Sequence, residues 1–495
     1  MNGAMEIIKN VSIDWKQKKA QLAALAQNSL PYVRISPEAR SYMESGVLDD
    51  LNEGHAPCSP RYLLPDYAKF IKQGSRFLDL KPPADLYEAI TALQILYNFV
   101  PSVTGLPVFL GRIDELLEPF SESVTERECR NLLRNFLIYI DRTLPDGFVH
   151  MNIGPQETMI GRLVLELEKE LKKAVPNLSL IINEETPDSF LALAAETALV
   201  TGKPYFANDR QIREALGDNY GIASCYNSLK LGGGSFTLVR LNLKQAAEKI
   251  SGVDDFIKHI LPDIIKAQCE IINARARFLV EEVRFFENSF LVREGLLDIG
   301  NFTSMAGIFG LFECVEQLTG GLKVGRDEAA NQAAVKIIEA GAECLNATEG
   351  AYCYGTGGRI GFHAQSLIDS DVEVTAGVRI RVGEEPSIFD QIRIESRLQR
   401  PFNTGVSDIY VFDSTAQTNV AGLLTIIKGA LKNGIKMLAL SGSDSELVRI
   451  TGYLVKKSDL EAYHNHEQMR EDTVQLGANS FITQKPLARK VRSVD

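Results

Sequence analysis

Between Pro176 and Asp209 the chain reads as a strand, a helix and a second strand, with hardly a residue to spare. Leu178-Ser179-Leu180-Ile181-Ile182 is the first strand, a short apolar run. Glu184-Glu185-Thr186-Pro187-Asp188 then opens a helix from Ser189 to Val200, with Thr186 as side-chain N-cap and Pro187 at the first helical position. Gly202-Lys203-Pro204 ends that helix and leads to the second strand, Tyr205-Phe206-Ala207-Asn208-Asp209. This order predicts a βαβ unit. It commits the chain to an α/β fold with a parallel sheet.

Other stretches supply more of the same elements. Leu86, Ile90, Leu93 and Tyr97 repeat at helical spacing after Pro82-Pro83. A second helix is expected from Val124 to Ile140, and a charged amphipathic one from Glu157 to Ala174. Ser235 to Leu243 is β-rich, Asp254 to Phe286 helical, and Asp327 to Cys344 an Ala-rich helix. Asp408 to Phe412 reads as a strand, Thr415 to Leu431 as a helix, and Gly434 to Leu440 as a strand. The stretch Asn52 to Pro60 is loop-like. His150, His464 and His466 read as structural or surface residues, since two histidines at i and i+2 do not share a helix face.

Composition narrows the classes of function. The 495 residues are 45% hydrophobic and 24% charged, an ordinary globular balance. A net charge of -11 argues against nucleic-acid binding, which needs clustered Lys and Arg. The seven cysteines form no CxxC pair, so no zinc ribbon is expected and no metal site is assigned. No long apolar run suggests a membrane span, and Met1 to Lys19 does not read as a secretory leader. Free thiols without such a leader point to the cytoplasm.

The chemistry lies near the C-terminus, at Arg449-Ile450-Thr451-Gly452-Tyr453. Taken blandly, a glycine in a strand pattern marks a bulge or a close backbone approach. The motif also resembles the Arg-Val-Ser/Thr-Gly-Tyr radical site of the glycyl radical enzymes, with Ile in place of Val. A Cα radical is stabilised by the adjoining amide nitrogen and carbonyl only if the centre can become planar, and glycine has no side chain to prevent that. Pro176 to Asp209 resembles the first barrel unit of the same family. Gly232-Gly233-Gly234 and the strand after it resemble the anaerobic ribonucleotide reductases. So do Gly307-Ile308-Phe309-Gly310-Leu311-Phe312-Glu313 and Thr348-Glu349-Gly350-Ala351-Tyr352. The chain is identified as similar to the glycyl radical enzymes, nearest their YjjI-type branch.

That resemblance implies a ten-stranded α/β barrel of two antiparallel five-stranded halves. Residues 1–150 would form a mainly helical N-terminal region, 151–434 the barrel, and 435–495 the radical segment. It implies that a radical-SAM activating enzyme, using S-adenosylmethionine and an iron–sulfur cluster, removes hydrogen from Gly452. The radical would pass to a cysteine whose thiyl attacks a small-molecule substrate. No tightly bound cofactor is expected, and a homodimer is. Cys225, in Ser224-Cys225-Tyr226-Asn227, is the expected thiyl residue, although a lone cysteine among small residues is more often inert. Cys314, in Glu313-Cys314-Val315-Glu316, is the rival, because radical eliminases carry Gly-Cys-Val-Glu there. Arg449, Thr451 and Tyr453 would support the radical loop. Asn227, Glu313, Cys314, Glu316 and Tyr352 are pocket candidates by position.

Three departures keep the reaction open. The last cysteine is Cys353, so the C-terminal zinc cluster of the anaerobic reductases has no counterpart. Ser224 stands where pyruvate formate-lyase has a second adjacent cysteine. Glu313 replaces the eliminase glycine. Ribonucleotide reductase-like activity, or a non-catalytic role as a repair module, stand as alternative readings.

Overall fold

The computed structural model describes residues 2–11, 13, 15–28, 33–51, 58–102, 105–144, 146–248, 250, 252–368, 370–467 and 481–494. Most of the expected Asn52–Pro60 loop, residues 52–57, lies outside these. Among the described residues fifteen strands run in chain order: β1 Leu48–Asp49, β2 Tyr62–Leu64, β3 His150–Ile153, β4 Asn177–Ile182, β5 Tyr205–Asn208, β6 Tyr220–Ala223, β7 Asn227–Lys230, β8 Gly233–Asn242, β9 Phe302–Phe309, β10 Gly361–Ala364, β11 Asp408–Phe412, β12 Met437–Gly442, β13 Leu447–Arg449, β14 Leu454–Lys456 and β15 Val491–Arg492.

Hydrogen bonding sorts them into two large sheets and two hairpins. One sheet has the order β15-β11-β12-β5-β4-β3. Its β3, β4 and β5 are parallel, β5 meets β12 antiparallel, and β12, β11 and β15 are again parallel. The other sheet has parallel β8, β9 and β10, with β1 and β2 lying antiparallel along β8. The two large sheets thus hold six and five strands, and a count of ten is not reproduced. The α/β class and the βαβ unit at β4 and β5 are as expected.

Strand β4 shows why the unit forms. All six of its residues are buried, because helices cover one face and the molecular interior the other. A Leu180→Ala change in such a strand costs about 2–5 kcal/mol. The helix between β4 and β5 spans Asp188–Thr201, one residue longer at each end than expected. Pro187 is its N-cap, and Thr186 Oγ1 accepts instead from the Asn183 amide at 3.1 Å, closing the turn before the helix. Gly202 ends it in the left-handed region at φ 68°, where glycine pays no steric cost.

Two expected helices are interrupted. Asp254–Phe286 resolves into Val253–Asp255, Phe256–Ile260, Leu261–Arg277, Phe278–Glu282 and Phe285–Asn288, the second and fourth being wide π turns. Pro262 has no amide to donate and its ring crowds the preceding turn, which opens the first π turn. Thr415–Leu431 breaks at Asn419, whose Oδ1 caps Val420–Lys432 by accepting from the Gly422 amide. The helix Glu126–Thr143 carries a full capping box, Thr125 with Glu128. The largest core joins β3, β4 and β12 to the helices Leu86–Tyr97, Glu126–Thr143, Met159–Leu171 and Asp188–Thr201. A second core lies between β8–β10 and the helices Leu261–Arg277, Leu311–Leu318 and Glu328–Ala347.

Candidate functional site

Two hairpin tips meet inside the molecule. The first, β6–β7, turns through Ser224, Cys225 and Tyr226. Ser224 takes φ 56°, which lets so short a turn close. On one side Asn152 of β3 donates to the Ile222 carbonyl at 2.9 Å and accepts from its amide at 2.8 Å. On the other, Tyr226 donates to the Ala364 carbonyl at 2.9 Å at the end of β10. The hairpin therefore bridges the two sheets. The second, β13–β14, turns through Ile450, Thr451, Gly452 and Tyr453, with the Ile450 amide donating to the Tyr453 carbonyl at 3.1 Å.

Gly452 lies against Cys225. A Cβ added to it would overlap the Cys225 sulfur, and would stand 2.5 Å from the Cys225 Cβ and 2.6 Å from Ser366 Oγ. No left-handed φ calls for a glycine here; the close approach does. Cys225 is 4% exposed, and Ile450, Thr451 and Tyr453 are buried with it. Burial pushes the Cys225 thiol up to about 11, against smaller opposing pulls from Ser224, Arg449, Ser366 and Arg379. At neutral pH it is an S–H group, the form that exchanges a hydrogen atom rather than acting as a thiolate nucleophile.

The backbone of the glycine loop is held carbonyl by carbonyl. Gly452 O accepts from Asn177 Nδ2 at 3.1 Å, Tyr205 OH at 3.2 Å and Arg449 Nη1 at 3.2 Å. Thr451 O accepts from Arg379 Nη1 at 3.0 Å. Ile450 O and Arg449 O accept from Arg489, at 2.7 and 3.0 Å. Arg449 is itself placed by the Gly202 carbonyl at 2.6 Å and by the Tyr205 ring, whose centroid lies 3.9 Å from its guanidinium carbon. Charge-assisted hydrogen bonds of this kind are the strong ones. Thr451 Oγ1 donates to the Leu367 carbonyl at 3.2 Å, and Tyr453 packs edge-on to Phe148.

The cysteine loop is held by neutral groups. His150 Nδ1 donates to the Ser224 carbonyl, while Nε2 accepts from Ser179 Oγ at 2.8 Å, and these partners set its tautomer. Burial drives its pKa down to about 3, so the ring is uncharged. Ser366 Oγ donates to Tyr226 OH at 2.8 Å, and Tyr226 stacks on His363, which burial also keeps neutral. Asn227 is buried two residues past Cys225; its Nδ2 donates to Ala223 O at 3.2 Å and its Oδ1 has no partner. Gln365 Oε1 is likewise buried and unpaired.

The remaining pocket candidates separate. Glu313 and Glu316 line a cavity of about 610 Å³ that also touches Arg379, Thr451 and Arg489. Glu313 is taken up by Thr375 and Arg381, and Glu316 by Arg381 at 2.8 Å. Cys314 sits in the helix Leu311–Leu318 within the second core, in a different cluster from Cys225. Tyr352 does not reach the site: with φ 58° it turns outward and donates to Glu281 at 2.8 Å. Sequence reading missed Asn177, Tyr205, Arg379 and Arg489, and set His150 aside as structural. Of these, Asn177 and Tyr205 lay within the stretch already singled out, Pro176 to Asp209. Among the described residues no group of three or more His, Cys, Asp or Glu could hold a metal ion. No helix among them is long and apolar enough to cross a membrane.

The family model "Glycyl radical enzyme YjjI-like" matches residues 13–492. The protein YjjI of Escherichia coli (strain K12) is 40% identical over 99% of this chain and 95% of its own length. A protein of Haemophilus influenzae is 36% identical over 99% and 97%. Among solved structures, the anaerobic ribonucleotide reductase from Thermotoga maritima superposes with a TM-score of 0.71 at 10% identity, covering 94% of this chain and 93% of its own. The B12-independent glycerol dehydratase from Clostridium butyricum gives 0.66 at 13% identity, over 97% and 84%. These two share the fold, a glycyl radical enzyme barrel. With a family model spanning nearly its whole length and relatives 40% and 36% identical over 99% of it, the chain belongs to the YjjI-like family of glycyl radical enzymes.

Proposed function

We propose that Gly452 stores the radical and Cys225 delivers it. A separate radical-SAM activating enzyme, using S-adenosylmethionine and an iron–sulfur cluster, takes one hydrogen atom from Gly452. The Gly452 radical takes the hydrogen of the Cys225 S–H, leaving a thiyl. The thiyl abstracts hydrogen from a small-molecule substrate and returns it after rearrangement. One observation carries this reading: the glycine Cα faces the Cys225 sulfur so closely that no side chain fits between them. The protonated thiol and the dry surroundings agree with hydrogen-atom transfer. The unpaired Asn227 and Gln365 oxygens are acceptors that a substrate O–H or N–H would satisfy.

The test is an anaerobic electron paramagnetic resonance spectrum after activation. A doublet that collapses when glycine is deuterated, and is absent from Gly452→Ala, supports the reading. Its absence with several activating enzymes, together with an intact chain in air, overturns it. Cys225→Ala separates an enzyme from a repair module. An enzyme keeps the doublet and loses turnover, whereas a module that only supplies a glycine loop loses nothing.

A further inference from the structure

The three donors to the Gly452 carbonyl share a support that lies one layer behind them. Lys203 has no exposed side-chain surface and Glu168 has 1%. Lys203 Nζ lies 2.7 Å from Glu168 Oε2 and donates to the Pro176 carbonyl at 2.6 Å. One ammonium thus ties the helix Met159–Leu171 to the chain entering β4 and the chain entering β5. Asn177 follows Pro176 directly. Tyr205 stands two residues after Lys203. Arg449 hangs on the carbonyl of Gly202, the residue before Lys203, and also donates from Nη2 to Asn177 Oδ1 at 3.3 Å.

Stability does not explain such a pair. Burying two charges costs several kcal/mol in desolvation, and apolar residues of similar size do as well or better. Burial holds the Lys203 pKa down and the Glu168 pKa up, and their mutual attraction opposes both shifts. The pair sits where it fixes the two turns from which the glycine carbonyl is held.

We infer that Lys203 and Glu168 are positioning residues for hydrogen transfer: by pinning the Pro176 and Gly202 turns they set the plane of the Gly452 carbonyl relative to the Cys225 sulfur. This rests on the reading of Gly452 and Cys225 as the radical pair. In the step concerned, the Cys225 S–H bond breaks, a Gly452 Cα–H bond forms, and the unpaired electron moves from carbon to sulfur. No further reactant enters.

The transfer can be read without substrate. In D2O the thiol becomes S–D, and reversible transfer carries deuterium to Gly452, collapsing the doublet to a singlet. Activated parent protein is compared with Lys203→Met and with the double variant Glu168→Leu/Lys203→Met, which leaves no uncompensated charge and carries the test if the single variant unfolds. The doublet yield should stay within about twofold of the parent while the collapse slows about tenfold or more, as small misplacements of reacting groups do. A control, Leu345→Ala, truncates a buried residue of the second core and should leave the collapse rate unchanged. Collapse at the parent rate in the double variant would overturn the inference. So would equal slowing in Leu345→Ala, which would mean general loosening. If the parent shows no doublet, or a doublet that never collapses, the radical pair itself fails instead.

Discussion

The two hairpin tips touch, yet they are held by opposite means. Around Cys225 the hydrogen-bond partners are neutral, an uncharged His150, Ser366, Tyr226 and the amide of Asn152, and the pulls of Arg449 and Arg379 on the thiol are outweighed by burial. Around Gly452 three arginines grip four successive carbonyls. Under the roles proposed for Gly452 and Cys225, the difference follows from what each tip must keep. A thiol that gives up a hydrogen atom must remain S–H, and a cation pressed against the sulfur would favour the thiolate. A glycine that holds spin must remain planar, and its amide and carbonyl are the groups to fix. Cationic donors serve the backbone of one loop and would harm the side chain of the other.

The largest break in this comparison is Gly452→Ala. The added methyl has no room against Cys225 and Ser366, and overpacking of this kind costs about 1–3 kcal/mol. The chemical loss is greater. We expect no doublet, no cleavage of the chain in air, and turnover reduced about 10⁴-fold or more, as for other residues that carry the reacting atom. Cys225→Ala comes next. It should lose turnover to a similar degree but keep the doublet, and in D2O that doublet should persist. A doublet that still collapses would assign the exchange to another group.

How far the sequence reveals this arrangement can be judged residue by residue. Gly452 stands out because a planar radical centre excludes every side chain, so the residue type itself carries information. Cys225 stands out because a short turn of small and polar residues surrounds it. Arg379 and Arg489 do not, because an arginine looks the same whether it solvates a surface or holds a carbonyl. Asn177 and Tyr205 reach Gly452 across 275 and 247 residues of chain, a pairing no local pattern encodes. Tyr352 misled because its run resembles a reductase stretch, while its left-handed backbone turns the ring outward. The βαβ unit was legible from its turns and apolar runs. The β6–β7 hairpin was legible only as a loop, because its pairing depends on Asn152 of a distant strand.

A smaller effect tests the clamp itself. Arg489 comes from the C-terminal segment and holds two carbonyls of the glycine loop. Arg489→Met leaves both without that donor, a loss of about 1–3 kcal/mol in local stability. If the loop must open for oxygen to reach the radical, its open population rises about fivefold or more. Cleavage of activated protein at Gly452 in air should accelerate by a similar factor, read from the rate at which the full-length band disappears. An unchanged rate would mean that oxygen enters by another route.

The smallest effect appears only in acid, and it should strike one hairpin and spare the other. Burial lowers the His150 pKa from 6.5 to about 3 in the folded protein. A group with a depressed folded pKa contributes stability above its unfolded pKa, and that contribution is lost as the pH falls from 6.5 toward 3. At pH 5 the unfolded histidine is charged while the folded one is not, which removes about 2 kcal/mol relative to pH 7. His363, whose pKa is lowered to about 3 as well, adds a similar loss. His150→Gln stays neutral throughout, so the fall in urea midpoint between pH 7 and pH 5 should shrink by the share of one histidine. Arg489→Met should show the full fall, because the arginine it removes is charged across that range. Equal pH dependence in parent and His150→Gln would mean that the cysteine loop is not anchored on a neutral imidazole, and the contrast between the two tips would lose its chemical basis.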